Sequence, residues 1–297
     1  MTVWSSLDGG GASLAPHVGP FPHAAFLEVW WRHRPAGTPL VVHGPGSALG
    51  CVVDDGTVRF GGEADLTDYH SPLGTDLRPA VDALFARVAA RTAIRFDSLP
   101  GEAADPLTAV LRDAGAAVAV SGDGATMVLD LPGDADIYLD TLGSKQRHEL
   151  RRKGRRFAET LGEPGLRRDP SGFKWFVDFH RAAPGDKGGF MTAGMEAFFR
   201  DLLAIPGAAL DLLVGAERHP VAAAFGFEDD DTYYLYNSSF DPAAAPASPG
   251  IVLGDTLIRS AIASGKRRFD FLKGGESYKR RFGAIPRPLY LIEGNTP

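Results

Sequence analysis

Cysteine is almost absent. Cys51 is the single one in 297 residues, so no internal disulfide and no cysteine metal cluster can form. It lies in the apolar run Ala48-Leu49-Gly50-Cys51-Val52-Val53, which reads as a buried strand. A core thiol is the expectation, with a catalytic cysteine as the competing reading. No apolar run approaches the roughly 20 residues that a membrane span needs. Met1 to Pro20 lack a basic start and a long apolar core, so no signal peptide is read there and a soluble, cytoplasmic protein is expected. An excess of positive charge is missing as well. The formal net charge is −6, which argues against a generally basic nucleic-acid binder. No His, Asp and Glu set has metal-ligand spacing, so no metal is expected.

What is present is ordinary globular composition, 44% hydrophobic and 23% charged, on enough chain for two domains. The break at Pro132-Gly133-Asp134 suggests domains at 1–132 and 133–297. Residues 1–20 are rich in Gly, Ser and Pro and read as loose. Phe26, Leu27, Trp30 and Trp31 have helical spacing. Strands follow at 39–43, 49–53 and 57–60, with Asp54-Asp55-Gly56 as a hairpin turn. Helices are expected at 78–90 and 106–114, and strands at 93–98, 116–120 and 126–131.

The second half has a similar order of elements without a repeat at the level of residues. A helix is expected at 145–161, capped by Ser144. Then come a strand at 165–168, helices at 173–181 and 195–204, and strands at 209–214, 221–227 and 232–238. A helix at 251–264 and strands at 267–272 and 289–292 complete the chain. Strands and helices mixed with hairpins indicate an α/β fold of the α+β kind with a mixed sheet, not a doubly wound parallel one.

Two stretches carry chemistry. After the strand ending at Ser238, a loop leads to Ser248-Pro249-Gly250, a helix start with Ser248 as N-cap and Pro249 at the first helical position. The amides of Gly250, Ile251 and Val252 are expected to be free at a helix N-terminus, an arrangement that attracts anions. A capped helix after a loop is the plainer reading. The second stretch is Arg267-Arg268-Phe269-Asp270-Phe271-Leu272-Lys273-Gly274-Gly275-Glu276-Ser277-Tyr278-Lys279-Arg280-Arg281-Phe282-Gly283. Here an apolar strand runs into paired glycines and a polar cluster of Lys273, Glu276, Tyr278 and Lys279. A strand end beside a helix start is a common ligand crevice. A solvated turn with an ion pair is the alternative.

These stretches, with Tyr138-Leu139-Asp140-Thr141-Leu142-Gly143-Ser144-Lys145-Gln146-Arg147 upstream, resemble GNAT-type acyltransferases. The likeness is to their CelD-like branch, related to Fem-type peptidyltransferases. The resemblance covers roughly residues 20–292. It implies tandem GNAT-like acyltransferase folds with the working site in the second half. It also implies acyl transfer from an acyl-CoA to an amine of a small molecule or peptide. The family's pyrophosphate loop, Arg/Gln-x-x-Gly-x-Gly/Ala, is replaced by Ser248-Pro249-Gly250-Ile251-Val252-Leu253-Gly254. An acyl carrier protein or an aminoacyl-tRNA therefore stays open as donor. By the resemblance, Tyr278 protonates the leaving thiolate, with Lys279 beside it. Glu276 or Asp241 serves as base. Ser248, Gly250, Ile251, Val252 and Lys273 hold the donor, and amides near Tyr236 and Asn237 polarise the carbonyl. His180 and His148 are weighed for catalysis or substrate contact, beside plain core and surface roles.

Seven Lys or Arg against one acid, Glu149, fall between Lys145 and Arg156. Leu150, Gly154, Phe157 and Leu161 share one helical face, so the cations are expected to point outward. That face is either simply solvated or holds a phosphate-rich partner, such as a carrier protein or tRNA. Three functions compete: acyl-CoA-dependent N-acyltransferase, Fem-like aminoacyl-tRNA ligase, and a catalytically inactive GNAT pair that only binds. No heptad run of an inserted coiled coil is present, which favours the first.

Overall fold

A computed structural model describes residues 3–297, which divide into two compact units: one up to 126 with 287–297, and one of 127–286. The boundary read from the sequence at 132/133 compares with a division at 126/127, and the last eleven residues belong to the first unit.

The first unit opens with a 3-10 helix at Trp4–Gly10 and then α1, Ala24–His33. The expectation of a loose start fails for a physical reason. Trp4 and Leu7 are buried, and the Trp4 ring meets Trp30 edge-on at 6.0 Å and Trp31 at 5.9 Å. Large apolar surface removed from water holds this segment down despite its Gly and Ser content. Strands β1 (Thr38–Gly44), β2 (Ser47–Asp54) and β3 (Thr57–Phe60) form an antiparallel meander. Cys51 is buried in β2, and burial pushes its thiol up, so it is a core thiol. Helix α2 (Arg78–Phe85) leads to β4 (Ala93–Pro100), which pairs parallel to β3. Helix α3 (Gly101–Asp113) and β5 (Ala117–Asp130) follow. The two strands expected at 116–120 and 126–131 are thus one. Gly124 has a positive φ of 82°, yet Ser121-Gly122-Asp123-Gly124 is a kink rather than a turn. There the Asp123 carboxylate accepts the Ser98 N–H at 2.7 Å.

The second unit starts with a helix the sequence reading omitted, α4 (Ala135–Thr141). The Asp134 carboxylate caps it by accepting from the amides of Asp136 and Ile137. Helix α5 (Ser144–Leu161) comes next. Its cap is Gly143, whose N–H donates to Gln146 Oε1 at 2.8 Å, so Ser144 is the first helical residue and not the cap. Then follow β6 (Gly165–Arg168), α6 (Phe173–Ala182), α7 (Asp186–Phe190), α8 (Ala193–Leu202), β7 (Ala208–Val214), β8 (Pro220–Glu228) and β9 (Thr232–Phe240). Strands β6 to β9 are successive antiparallel neighbours. Helix α9 (Pro249–Ala263) crosses to β10 (Arg268–Lys273), which pairs parallel to β9. After α10 (Ser277–Arg281), the chain enters β11 (Ile285–Asn295), antiparallel to β4 in the first unit. Each unit therefore repeats one order: an antiparallel meander, a helix, and a strand parallel to the last meander strand. Among the described residues no helix is long and apolar enough to cross a membrane.

Candidate active site

The site lies where β9 and β10 separate. They pair over only three positions, Thr232 to Tyr234 against Arg268 to Asp270. Both strands continue beyond, β9 to Phe240 and β10 to Lys273. On its other edge β9 pairs with β8, with a register shift after which Phe225 faces Asn237 and Gly226 faces Leu235. Tyr236 is the extra residue, a β-bulge that bends the strand. Past Tyr234, β9 runs outside its ladder with β10.

Asn237, one residue on, is held by His180 of α6. The buried His180 ring places Nε2 2.8 Å from Asn237 Oδ1, while Nδ1 lies 2.8 Å from the Phe176 carbonyl. The two residues are thus brought together, and His180 has no access to solvent. Tyr236 packs among Phe199, Phe225 and Phe227. His148 is exposed on α5.

The loop expected before α9 is ordered. Residues Pro242–Ala247 form a 3-10 helix capped by Asp241, whose Oδ1 accepts the Ala243 N–H at 2.9 Å. Ser248 stands at the N-cap position of α9, but with φ 56° and no side-chain cap bond. Its carbonyl instead accepts the N–H groups of Ile251, 3.1 Å, and Val252, 3.2 Å. Two of the three amides expected to be free are therefore spent, and Gly250 keeps the third. Gly254 serves packing, since a Cβ there would come within 2.6 Å of the Phe282 ring.

At the end of β10, Leu272 takes a left-handed φ of 59°, and the buried Asp270 carboxylate accepts its N–H at 2.7 Å. A non-glycine residue held there stores strain. Gly274, φ 105°, turns the chain so that Glu276 folds back over it. Lys279 is 3% exposed, and its ammonium donates to the carbonyls of Lys273 (2.5 Å), Gly274 (3.1 Å) and Leu272 (3.4 Å) while pairing with Glu276 at 2.9 Å. It clamps the turn, and Glu276 is engaged rather than free. The ring of Tyr278 packs edge-on against Phe271 and Phe282. Its hydroxyl has no partner among the described residues. Burial, and then the Glu276 carboxylate, push its pKa up to about 12, so the neighbouring lysines do not favour its phenolate.

A groove of about 550 Å³ adjoins Asp241. It is lined by Thr160 to Gly162, the β7–β8 turn with Glu217 and His219, and Ala243 and Ala244. Glu217 and His219 were not singled out from the sequence, because residues in a tight turn carry no periodic signal. Among the described residues no group of three or more His, Cys, Asp and Glu could hold a metal ion.

The family described as "Acetyltransferase (GNAT) domain" matches residues 144–280. That stretch is similar to a GNAT acetyltransferase domain over a little under half of the chain. The match runs from the first residue of α5 to α10 and so contains the diverging strands, α9 and Tyr278. Solved structures share the fold across the chain at low identity. FemX is 12% identical with a TM-score of 0.62, covering 98% of this chain and 96% of that one. L-PGS from Bacillus licheniformis is 14% identical with a TM-score of 0.59, covering 95% and 92%. A conserved protein of unknown function from Bacteroides thetaiotaomicron VPI-5482 is 11% identical with a TM-score of 0.67, covering 98% and 96%. No curated protein matches the sequence. The chain therefore has a mixed α/β fold shared with these structures, and its residues 144–280 resemble a GNAT acetyltransferase domain.

Proposed function

We propose that this protein transfers an acyl group from a thioester to an amine in the opening between β9 and β10. The separation of these strands after Tyr234 and Asp270, next to the start of α9, carries the reading. A thioester laid along β9 beyond the end of its ladder with β10 would pass the main chain of Tyr236 and Asn237, whose N–H groups can donate to its carbonyl oxygen. The amine nitrogen attacks, the C–N bond forms and the C–S bond breaks. Tyr278, with its hydroxyl unengaged, protonates the departing thiolate. Asp241 is the better placed base. One of its oxygens caps the 3-10 helix and its side chain lines the groove, whereas Glu276 is tied to Lys279. Gly250 and Lys273 stand at the donor end, with Ser248, Ile251 and Val252 shaping the helix start. The acceptor is an amine on a small molecule or peptide.

Acyl-CoA and an acyl carrier protein both supply such a thioester. Aminoacyl-tRNA is a second reading, supported by the cationic face of α5. Native mass spectrometry of the full chain against a panel of CoA and carrier-protein thioesters tests the proposal. At least one thioester should be retained and lose its acyl group when amines are added. If none is retained, no donor site exists here.

A further inference from the structure

Helix α5 carries five exposed cations with no carboxylate partner among the described residues: Lys145, Arg151, Arg152, Arg155 and Arg156. Glu149, the acid within this run, is taken by Lys153 at 3.4 Å and Arg281 at 3.1 Å. At 3.6 residues per turn, the five lie on an arc of roughly 140° opposite the buried Leu150 and Phe157, along about 17 Å of helix. The helix packs against α9 and the 3-10 helix Pro242–Ala247 through its buried face, so the cations form the outer, solvent side of the helix that flanks those two elements.

The start of α9 is poorly built for free CoA. A pyrophosphate needs several convergent N–H groups. Here the Ile251 and Val252 amides are spent on Ser248, and Pro242, Pro246 and Pro249 have none. The adjoining groove bears Glu217 and Asp241 and no Lys or Arg, which repels phosphates and suits an uncharged amide chain. One free amide at Gly250 matches a single phosphodiester.

We propose that α5 is the docking face for an acidic acyl carrier protein, whose phosphopantetheine arm delivers the thioester to the β9–β10 opening. This rests on the acyl-transfer reading above and names its donor. Charge complementarity selects this partner. An acidic helix laid on one 17 Å face meets the local cations without confronting the chain's net charge of −6, which opposes a long RNA backbone. The cationic arc has no Phe, Tyr or Trp for stacking bases, His148 being its one ring, and no apolar side chain for entering lipid. Ile137 of α4, 57% exposed just before α5, supplies an apolar contact of the kind protein partners use. In the transfer, the acceptor nitrogen gains the acyl carbon and gives up one proton. The sulfur loses the acyl carbon and takes up one proton, so the carrier departs as a free thiol.

The test uses the full chain and an acyl carrier protein bearing an acetyl thioester, with binding followed by calorimetry at low and physiological salt. The parent should bind, and more weakly as salt rises. An Arg151→Glu/Arg155→Glu double variant with unchanged melting should bind roughly tenfold more weakly or worse. Absence of carrier binding to the parent, or equal binding by the variant, overturns the proposal. So does binding of a tRNA pool or of phosphatidylglycerol vesicles that depends on these arginines while the carrier stays unbound. Thiol release with mixed amines separates this claim from the one it rests on. Release from acetyl-CoA at the same rate in parent and variant, with the carrier inert, removes the carrier and keeps acyl transfer. Carrier binding that depends on α5, without thiol release from any donor, keeps the docking face and removes acyl transfer.

Discussion

Tyr278 combines a fixed ring and an unengaged hydroxyl. Phe271 and Phe282 hold the ring, and burial keeps the phenol neutral well past its ordinary value of 10.0, up to about 12. The proton-donor role proposed for Tyr278 needs a phenol that is protonated at working pH, which this shift supplies. The same shift has a consequence for stability. A raised tyrosine value means the fold favours the neutral phenol, so its contribution is complete below about pH 10 and disappears as pH rises toward 12. Burial raises Tyr138, Tyr233 and Tyr234 in the same direction, and Cys51 as well. Denaturant midpoints should therefore hold to about pH 9 and fall steeply between 10 and 12. A midpoint unchanged up to pH 12 would contradict the buried, neutral state of these groups.

At the scale of elements, α9 has two glycines with different jobs. Gly254 admits the Phe282 ring, so Gly254→Ala should cost roughly 1–3 kcal/mol by overpacking, read by urea denaturation. At Gly250 a Cβ would meet Phe240 at an ordinary 3.4 Å. Gly250→Glu should therefore fold with the parent's stability yet lose donor affinity, because it sets a carboxylate beside the one free amide. Stability lost at Gly250 and kept at Gly254 would reverse these assignments. The start of α9 was legible in Ser248-Pro249-Gly250, since proline and glycine punctuate the chain strongly. The use of the Ser248 carbonyl by two amides was not, because it follows from a left-handed φ at a serine. The burial of Lys279 was not legible for a related reason. Lysine is a surface residue by habit, and only the carbonyls of 272–274 make its burial tolerable.

Over the whole molecule, the order of strands and helices was legible because apolar periodicity survives in both units. The N-terminal segment was misread because composition there outweighed a single large side chain. Trp4→Ala should cost about 3–5 kcal/mol in the first unit, and thermal unfolding measures it. A loss below about 1 kcal/mol would mean the segment is dispensable. The doubling of the fold also has a trace that the sequence reading passed over. Arg95-Phe96-Asp97-Ser98-Leu99-Pro100-Gly101 on β4 parallels Arg268-Phe269-Asp270-Phe271-Leu272-Lys273-Gly274 on β10. Both strands leave a three-residue parallel pairing, and each holds one non-glycine residue at φ 59°, Ser98 and Leu272. Five shared residues in seven are too few to stand out without the strands to align them.

The account turns on acyl transfer in the opening between β9 and β10 with Tyr278 as acid. Its most direct test is amine-dependent thiol release from acyl thioesters by the parent and by Tyr278→Phe, at matched donor occupancy. The account predicts turnover by the parent and a loss of about 10² to 10⁴ in the variant, with donor affinity nearly unchanged. A folded Tyr278→Phe protein turning over within about threefold of the parent would contradict it, because that loss lies far below the range of general acid catalysis.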